Sequence, residues 1–538
     1  MIFQKLFPLL LVTAVGVWSV WPVVINPATV ADYGTDGELI AWITNQTITK
    51  LHSGFDSGNK NGLFDGNIFY PYRNVMAYSE MFFISALFAF LPVILSGNRL
   101  ITPGVTMLTG QVLTMIITYL FWIRLAKTSR WGTVAGTVVF GLSQIRWHYQ
   151  VHLQMWSMQY WLTGSWLLCS WIEDKKNWKL FLGAGILGAQ IWESILPVYF
   201  SLVLVGTYMM FNLHRSMFKL YISNRKRIAM AGFLFAAISF LPLRAYMTVS
   251  RETGFQRTIR DAAHGGLNVN DVWGVFWSPG LYVLLGAAVF KIFNQIQKSK
   301  NIKMNKNIKW LGAVAVISLI MAMGPVLKWN EKTVKIAGKL PVPLPYAAVY
   351  YLVPGMEAFR VPSRWIWLFG WAASGIIALG FSHLPFNHLS FKDKRLIGIA
   401  GAIFVAVTGG TRLINYRELP DIKNPPPVYA WLKNQPGEVI LELPAADENL
   451  ETGRMLYSLE HGKKLINGYS GFMPKEREKL LTGLNREYPS AELDNELKKT
   501  GVDYVIIHTD EFSNRQLMEG LWENRIIWKD EKTMVVGY

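Results

Sequence analysis

Cysteine is almost absent from this chain, with Cys169 alone among 538 residues. A lone thiol inside an apolar run excludes an intramolecular disulfide and a cysteine-built metal cluster, and reads as a small core side chain. Acid is scarce as well: 36 Asp and Glu stand against 53 Lys and Arg, a net charge of +17. Three catalytic signatures are missing too. There is no GxxxxGK[ST], no HExxH and no GxSxG, so ATP-driven transport, zinc proteolysis and hydrolase-type esterase chemistry lack their usual marks. DSGNKNGLFDGN approaches a calcium loop, but its third position is Gly58 and its twelfth is Asn67. Without the acids those positions require, a Gly/Asn turn is the plainer reading.

What is abundant is apolar and aromatic. The chain is 51% hydrophobic, with 22 Trp, 22 Tyr and 30 Phe, and its mean hydropathy is +0.23. That composition describes an integral membrane protein. In such a protein the basic excess marks cytoplasmic loops and contact with anionic lipid, and no nucleic-acid partner is expected. The opening MIFQKLFPLLLVTAVGVWSVWPVVIN is apolar for roughly 20 residues and lacks a small-x-small cleavage site, so it reads as a retained anchor with a cytoplasmic N-terminus. DYGTDGELIAW (Asp32 to Trp42) then lies outside.

Charge sets the topology. If the run Met81 to Leu95 crossed the bilayer, Arg124, Lys127 and Arg130 of RLAKTSR would fall outside, against the positive-inside rule. Laid along the outer surface as a juxtamembrane helix, it lets Thr102 to Trp122 descend and makes RLAKTSR cytoplasmic. Further spans are expected at Trp131 to Ile145, Trp156 to Ile172, Leu180 to Ile191, Ser194 to Asn212, Ile228 to Tyr246, Val275 to Phe293, Trp310 to Val326, Trp365 to Phe381 and Leu396 to Gly410. This arrangement of about eleven spans places EDKKNWK, KSKNIKMNKNIK and KDKR inside with RLAKTSR, and the C-terminus outside. Arg251, Arg257, Arg260, Arg360 and Arg364 remain outside, where orientation rules do not call for them.

From Asn424 the composition is that of a soluble domain. NPPP reads as a linker, VYAWLKNQPG as a short helix, EVILELPA, DYVIIH and TMVVGY as strands, and PKEREKLLTGLNREYPSAELDNELKKTG as charged helix. The fold class expected is therefore an α-helical polytopic membrane domain over 1–423, with a first external loop and juxtamembrane helices at 28–98. A small extracytoplasmic α/β domain follows at 424–538.

Several side chains could carry chemistry. Asp32, Asp36 and Glu38 follow the anchor at the outer rim, where a carboxylate can take a proton from an incoming hydroxyl; the competing reading is the cap of a surface helix beginning near Glu38, with Asp36 near its N-cap. Glu80 opens the juxtamembrane helix, as a second acid or as helix N-terminal charge. His148 and His152, four apart, share a face if helical, and fit a metal, a phosphate or an interfacial polar edge. Arg360 and Arg364 of RVPSR suit a substrate phosphate or a lipid headgroup. Glu193 sits at a turn between two spans.

The order of these motifs is distinctive. DYGTDGELIAW follows the first span, and FYPYRNVMAYSE, RLAK, GLSQIRWHYQVHLQ and LPYAAVYYLVPGMEAFRVPSR succeed it; VILELPA, INGYSGFMP and VDYVIIH lie beyond the membrane domain. Together they resemble the GT-C class of polytopic membrane glycosyltransferases, within it the bacterial and archaeal group related to the aminoarabinose and protein O-mannosyl transferases. The resemblance implies a polyprenyl-phosphate-linked sugar donor, inverting transfer on the outer face of the cytoplasmic membrane, and an envelope glycan, lipid or protein as acceptor. It puts an acid of the first external loop near the reaction centre: Asp36 fits best, then Asp32, with Glu80 as a second acid. Arg257, Arg360 and Arg364 would hold the lipid phosphate, with His148 and His152 beside the substrate. One departure is that Asp36 is followed by Gly37 and Glu38 rather than by a second acid directly. A divalent cation is neither required nor excluded. The alternatives are a transporter or flippase of lipid-linked glycans, for which repeated halves are not evident, and a non-catalytic scaffold of the same class.

Overall fold

In the computed structural model, which describes residues 2–32, 34–53, 62–212, 215–276, 278–298, 306–382, 415–511 and 525–538, two helices approach so closely that only glycine fits between them. They are Arg130–Leu142 and Ile366–Ser382. Gly132 and Gly136 of the first, one helical turn apart, face the backbone of the second: a Cβ on Gly136 would lie 2.3 Å from the Ser374 carbonyl oxygen, and one on Gly132 2.5 Å from that of Ala378. This small-xxx-small spacing is how helices pack where no water drives them together. Ile366–Ser382 is buried along most of its length. Its Trp371 ring meets Trp122 at 4.2 Å and Phe121 at 4.8 Å, and Trp161 lies 6.3 Å away.

These elements belong to the first of two compact units, made of Met1–Ile25, Thr106–Phe240 and Gln256–Asn415. The hairpin Gln159–Asp174 and Asn177–Glu193 repeats the device with Gly164 and Gly183, where a Cβ on Gly183 would come 3.1 Å from the Gly164 carbonyl oxygen. Each expected span falls on a helix except Leu396 to Gly410, which lies outside the described residues. Among the described residues three helical segments, Arg99–Ala126, Tyr221–Thr253 and Pro362–Ser382, are long and apolar enough to cross a membrane; Leu6–Ser19, Phe83–Ser96 and Leu196–Phe211 are shorter apolar helices. Phe83–Ser96 buries Ser85, Ala86, Ala89 and Val93 and turns Leu87, Phe88, Leu91, Ile94 and Leu95 outward. An apolar outward face suits a bilayer surface and not water.

The second unit gathers Asn26–Val105, Leu241–Phe255 and Tyr416–Tyr538. Its centre is a five-stranded sheet in the order Ile526–Lys529, Thr533–Gly537, Tyr504–His508, Val439–Leu443, Lys464–Leu465. Val439–Leu443 runs parallel to both its neighbours, and every one of its residues is buried. That explains why its sequence, VILEL, does not alternate. The stretch expected as one charged helix is two, Lys475–Glu487 and Ala491–Thr500, divided at Pro489, with the Ser490 hydroxyl accepting from the Leu493 N–H to start the second. The edge strand Lys464–Leu465 is not left open. Leu465 N–H donates to the Asn67 carbonyl at 2.7 Å and Tyr70 N–H donates back to that of Leu465 at 2.9 Å, so the first loop of the chain covers the sheet edge.

Within the sheet, Glu442 is fully buried. Its Oε2 accepts from the Tyr429 hydroxyl at 2.7 Å, meets His508 Nε2 at 2.9 Å and lies 3.5 Å from Arg454 Nε. Arg454 also reaches Glu451 at 3.7 Å and Glu511 at 3.1 Å. Burial pushes the Glu451 carboxyl up to about 7, against the pull of Arg454 and of the Ala446 N–H. A carboxyl raised on folding favours the protonated native state, so its contribution is fully present below the ordinary value of 4.5 and is lost as pH rises through about 7.

Two outcomes are expected. Gly136→Leu forces a side chain against the Ser374 carbonyl and should lower stability by about 3 kcal/mol, seen as a lower unfolding temperature in detergent, whereas substituting Gly206, which has open space around it, should not. In Glu451→Gln, the fall in unfolding temperature between pH 4.5 and 7 should flatten relative to the parent chain.

Candidate functional site

The acidic stretch after the anchor is framed in the second unit by two short strands. Thr29–Ala31 pairs antiparallel with Tyr416–Glu418, with Val30 opposite Arg417. Val30 packs under the next turn, where Gly37 leaves no room for a Cβ: one would lie 2.8 Å from Val30. The pairing delivers Arg417 to the stretch. Its Nη1 lies 2.5 Å from Glu38 Oε1, its Nε 3.5 Å from Asp32 Oδ1, and its Nη2 donates to the Gly34 carbonyl at 3.1 Å.

Helix Asp36–His52 begins at Asp36, not near Glu38. The N-cap is Thr35, whose side chain makes no cap bond and instead donates to Glu448 at 3.0 Å. Asp36 and Glu38 thus lie in the first helical turn, where the helix dipole favours a negative charge. They differ in surroundings: Asp32 is exposed, Asp36 half-buried, and Glu38 buried at 5% exposure. Further down the same helix, the Trp42 indole and the Gln46 amide donate to Asn67 Oδ1, and Asn67 Nδ2 donates to Ser458 and to the Lys463 carbonyl. The acids therefore ride on a helix tied to the sheet. Glu80 does not open its helix as expected. Phe83–Ser96 starts three residues later, after Phe82 in a left-handed conformation, and Glu80 is half-exposed ahead of it.

The basic candidates lie in the first unit. Arg257, between helices Arg215–Thr253 and Ile259–His264, is held below its usual value, first by burial and then by repulsion from Arg360, with Asp261 opposing. Asp261 is already engaged in a capping box with Thr258. Arg257 and Arg360 therefore form a pair of like charges sharing one committed carboxylate. Arg364, with Ser363, faces the buried Tyr149.

His148 and His152 do not share a helix face. Helix Gln144–Trp147 ends before His148, and Leu153–Trp156 begins after His152, so the two occupy the turn between them. His148 sits against Tyr149 at 5.0 Å and Phe276 at 4.8 Å. Burial, with His152 adding, lowers it to about 4, which leaves a neutral ring at pH 7. Glu193, expected at a turn, ends helix Asn177–Glu193 and is fully buried. Among the described residues no group of three or more His, Cys, Asp or Glu is gathered to hold a metal.

Two residues escaped the reading of the sequence. Arg417 is set against Glu38 only by strand pairing, and its one local sign is the charged triplet Tyr-Arg-Glu after the last expected span. Arg146 is fully buried; its Nε donates to Gln111 at 2.7 Å, its Nη2 donates to the Gly110 and Trp156 carbonyls, and its guanidinium lies 4.3 Å over the Trp156 ring. It pins the turn that carries His148 and His152.

No family model matches the sequence, and no curated protein is similar enough to count as a relative. Solved structures do match. The arabinofuranosyltransferase AftD from Mycobacteria superposes with a TM-score of 0.56 at 13% identity, over 93% of this chain and 35% of its own. A second structure of that protein gives 0.54 at 12% identity, over 93% and 36%. ArnT from Cupriavidus metallidurans in the apo state gives 0.49 at 10% identity, over 98% and 97%. The likeness shows a fold shared with this arabinofuranosyltransferase. The chain spans about a third of the length of AftD, the structure it superposes on with the score of 0.56.

Removing Arg417 isolates a buried carboxylate. Arg417→Ala should cost about 2 kcal/mol, less than for a fully buried pair because Arg417 keeps 31% exposure. The double variant Arg417→Ala, Glu38→Gln should recover part of that loss in denaturant unfolding; purely additive losses would show that the ion pair is not coupled.

Proposed function

We propose that this chain is a membrane glycosyltransferase that moves a sugar from a polyprenyl-phosphate-linked donor to an envelope acceptor on the outer face. The observation that carries the reading is Arg257, whose guanidinium is held below its usual value by burial and then by the neighbouring Arg360, on a chain with the fold of an arabinofuranosyltransferase over 93% of its length. Two neighbouring cations gain by receiving an anion, and a departing lipid phosphate is such an anion.

In this reading Asp36 takes the proton of the acceptor hydroxyl, or orients that hydroxyl, as the sugar leaves the phosphate. Its place in the first helical turn suits the task, since the dipole there favours a negative charge. Glu38 is less suited to the task because Arg417 holds it at 2.5 Å. Arg417 then acts as a positioning residue: by gripping Glu38 and Asp32 together it fixes the backbone from which Asp36 projects. Glu80 is a second acid of the same loop, and Arg364, beside Tyr149, is a further phosphate contact. The acceptor is an envelope glycan, lipid or protein.

Purified chain incubated with a panel of polyprenyl-phosphate sugars tests this directly. Release of lipid phosphate should be seen with one of them. Asp36→Asn should lower kcat by about 100-fold or more with little change in KM. Arg257→Ala and Arg360→Ala should mainly raise the donor KM. Equal release by Asp36→Asn and the parent would remove Asp36 from the chemistry. Movement of the lipid-linked glycan across the bilayer without release of lipid phosphate would favour a flippase instead.

A further inference from the structure

A second polar site lies within the first unit, and none of its lining residues is among the candidate acids, arginines and histidines described above. Four helix ends converge on it: the turn after Trp122–Ala126, the end of Gln159–Asp174, the start of Lys306–Ala322 and the end of Ile366–Ser382. They enclose a cavity of about 250 Å³ lined by Leu125, Ala126, Lys127, Glu173, Lys306, Asn307, Leu379 and Ser382. Its walls divide by chemistry. Leu125, Ala126 and Leu379 are its apolar lining, and Lys127, Glu173 and Lys306 its charged lining.

Glu173 sits between the two lysines. Lys127 Nζ lies 3.9 Å from its Oε2 and Lys306 Nζ 3.8 Å from its Oε1. The close donor to the carboxylate is Tyr208, whose hydroxyl is 2.8 Å from Oε1. Two ammonium groups at that range share one negative charge, so the group carries a net positive charge; Lys306 Nζ also donates to Asn212 Oδ1 at 2.9 Å, a neutral partner that leaves this charge in place. The backbone holds the site open in an uncommon way. Trp122–Ala126 is a π-helical turn, a form that gathers at functional positions. Lys127 follows it at φ +56°, a left-handed conformation that favours glycine, yet the residue there carries an ammonium.

We propose that this cavity binds a phosphate group carried by an anionic membrane lipid, with Lys127 and Lys306 on the phosphate oxygens and the first carbons of the lipid against Leu125 and Leu379. The pairing of an apolar wall with a cationic rim matches an amphiphile, whereas a free phosphate uses only the rim. The charge pattern of the sequence agrees: RLAKTSR, EDKKNWK and the basic loop before Lys306 all fall on the side read as cytoplasmic, where anionic lipid is found. The proposal is independent of the donor site, which was read on the other face.

Thermal unfolding of the purified full chain, stripped of lipid in a neutral detergent, tests it. Added phosphatidylglycerol should raise the unfolding temperature by several degrees, while phosphatidylcholine and inorganic phosphate at the same concentration should not. Lys127→Ala with Lys306→Ala should abolish the rise, and Lys127→Arg with Lys306→Arg should retain it. Arg225→Ala with Lys226→Ala, two exposed bases on helix Arg215–Thr253, should leave it unchanged. An equal rise in the double alanine variant and the parent, or an equal rise with phosphatidylcholine, would overturn the site. A rise with inorganic phosphate equal to that with phosphatidylglycerol would overturn the lipid assignment.

Discussion

Much of the second unit depends on one arginine. Arg417 joins three points of the acidic stretch, Asp32, Gly34 and Glu38, from a strand that pairs with Thr29–Ala31. A buried carboxylate such as Glu38 is costly without a partner. The stretch therefore has one arrangement in which that cost is met, and helix Asp36–His52 starts from it. Asn67 completes the frame at the other end by binding Trp42 and Gln46 on that helix and Ser458 and Lys463 beside the sheet.

The two units solve the problem of close packing differently. In the first, backbones meet through Gly132, Gly136, Gly164 and Gly183, and large rings such as Trp122, Trp161 and Trp371 fill the remaining space. Polar groups buried there include Arg146, which donates to Gln111 and to two carbonyls. In the second unit, charge is brought inside and neutralised by partners, with Glu442, Arg454, Glu451 and His508 forming one connected group. A network of this kind tolerates loss of one member poorly, because the rest stay buried.

How much of this could be read in the chain follows from where the signal is local. Helix positions were legible because apolar runs and basic loops alternate within short windows, and strands Val439–Leu443, Tyr504–His508 and Thr533–Gly537 were legible from β-branched runs. Strands Lys464–Leu465 and Ile526–Lys529 were not, since the first is two residues long and the second alternates only weakly. The start of helix Asp36–His52 was misjudged by two residues because Thr35 does not cap it by side chain. The His148 and His152 pair looked helical by spacing, but Ser143 and the turn after Trp147 break the periodicity. Arg417 and Lys306 acquire their partners only through tertiary contact, which no local pattern encodes.

The hydrogen bonds between residues 67–70 and strand Lys464–Leu465 impose an order on biosynthesis. The early segment emerges from the ribosome long before its partner exists, and its Asn67 and Tyr70 backbone groups cannot make these bonds until Leu465 has been added. A contact of such sequence separation forms late. A chain truncated before the sheet keeps the bonds of Trp42 and Gln46 to Asn67 but leaves Asn67 without Ser458 and Lys463, so the helix that bears the acidic stretch is no longer tied to the sheet.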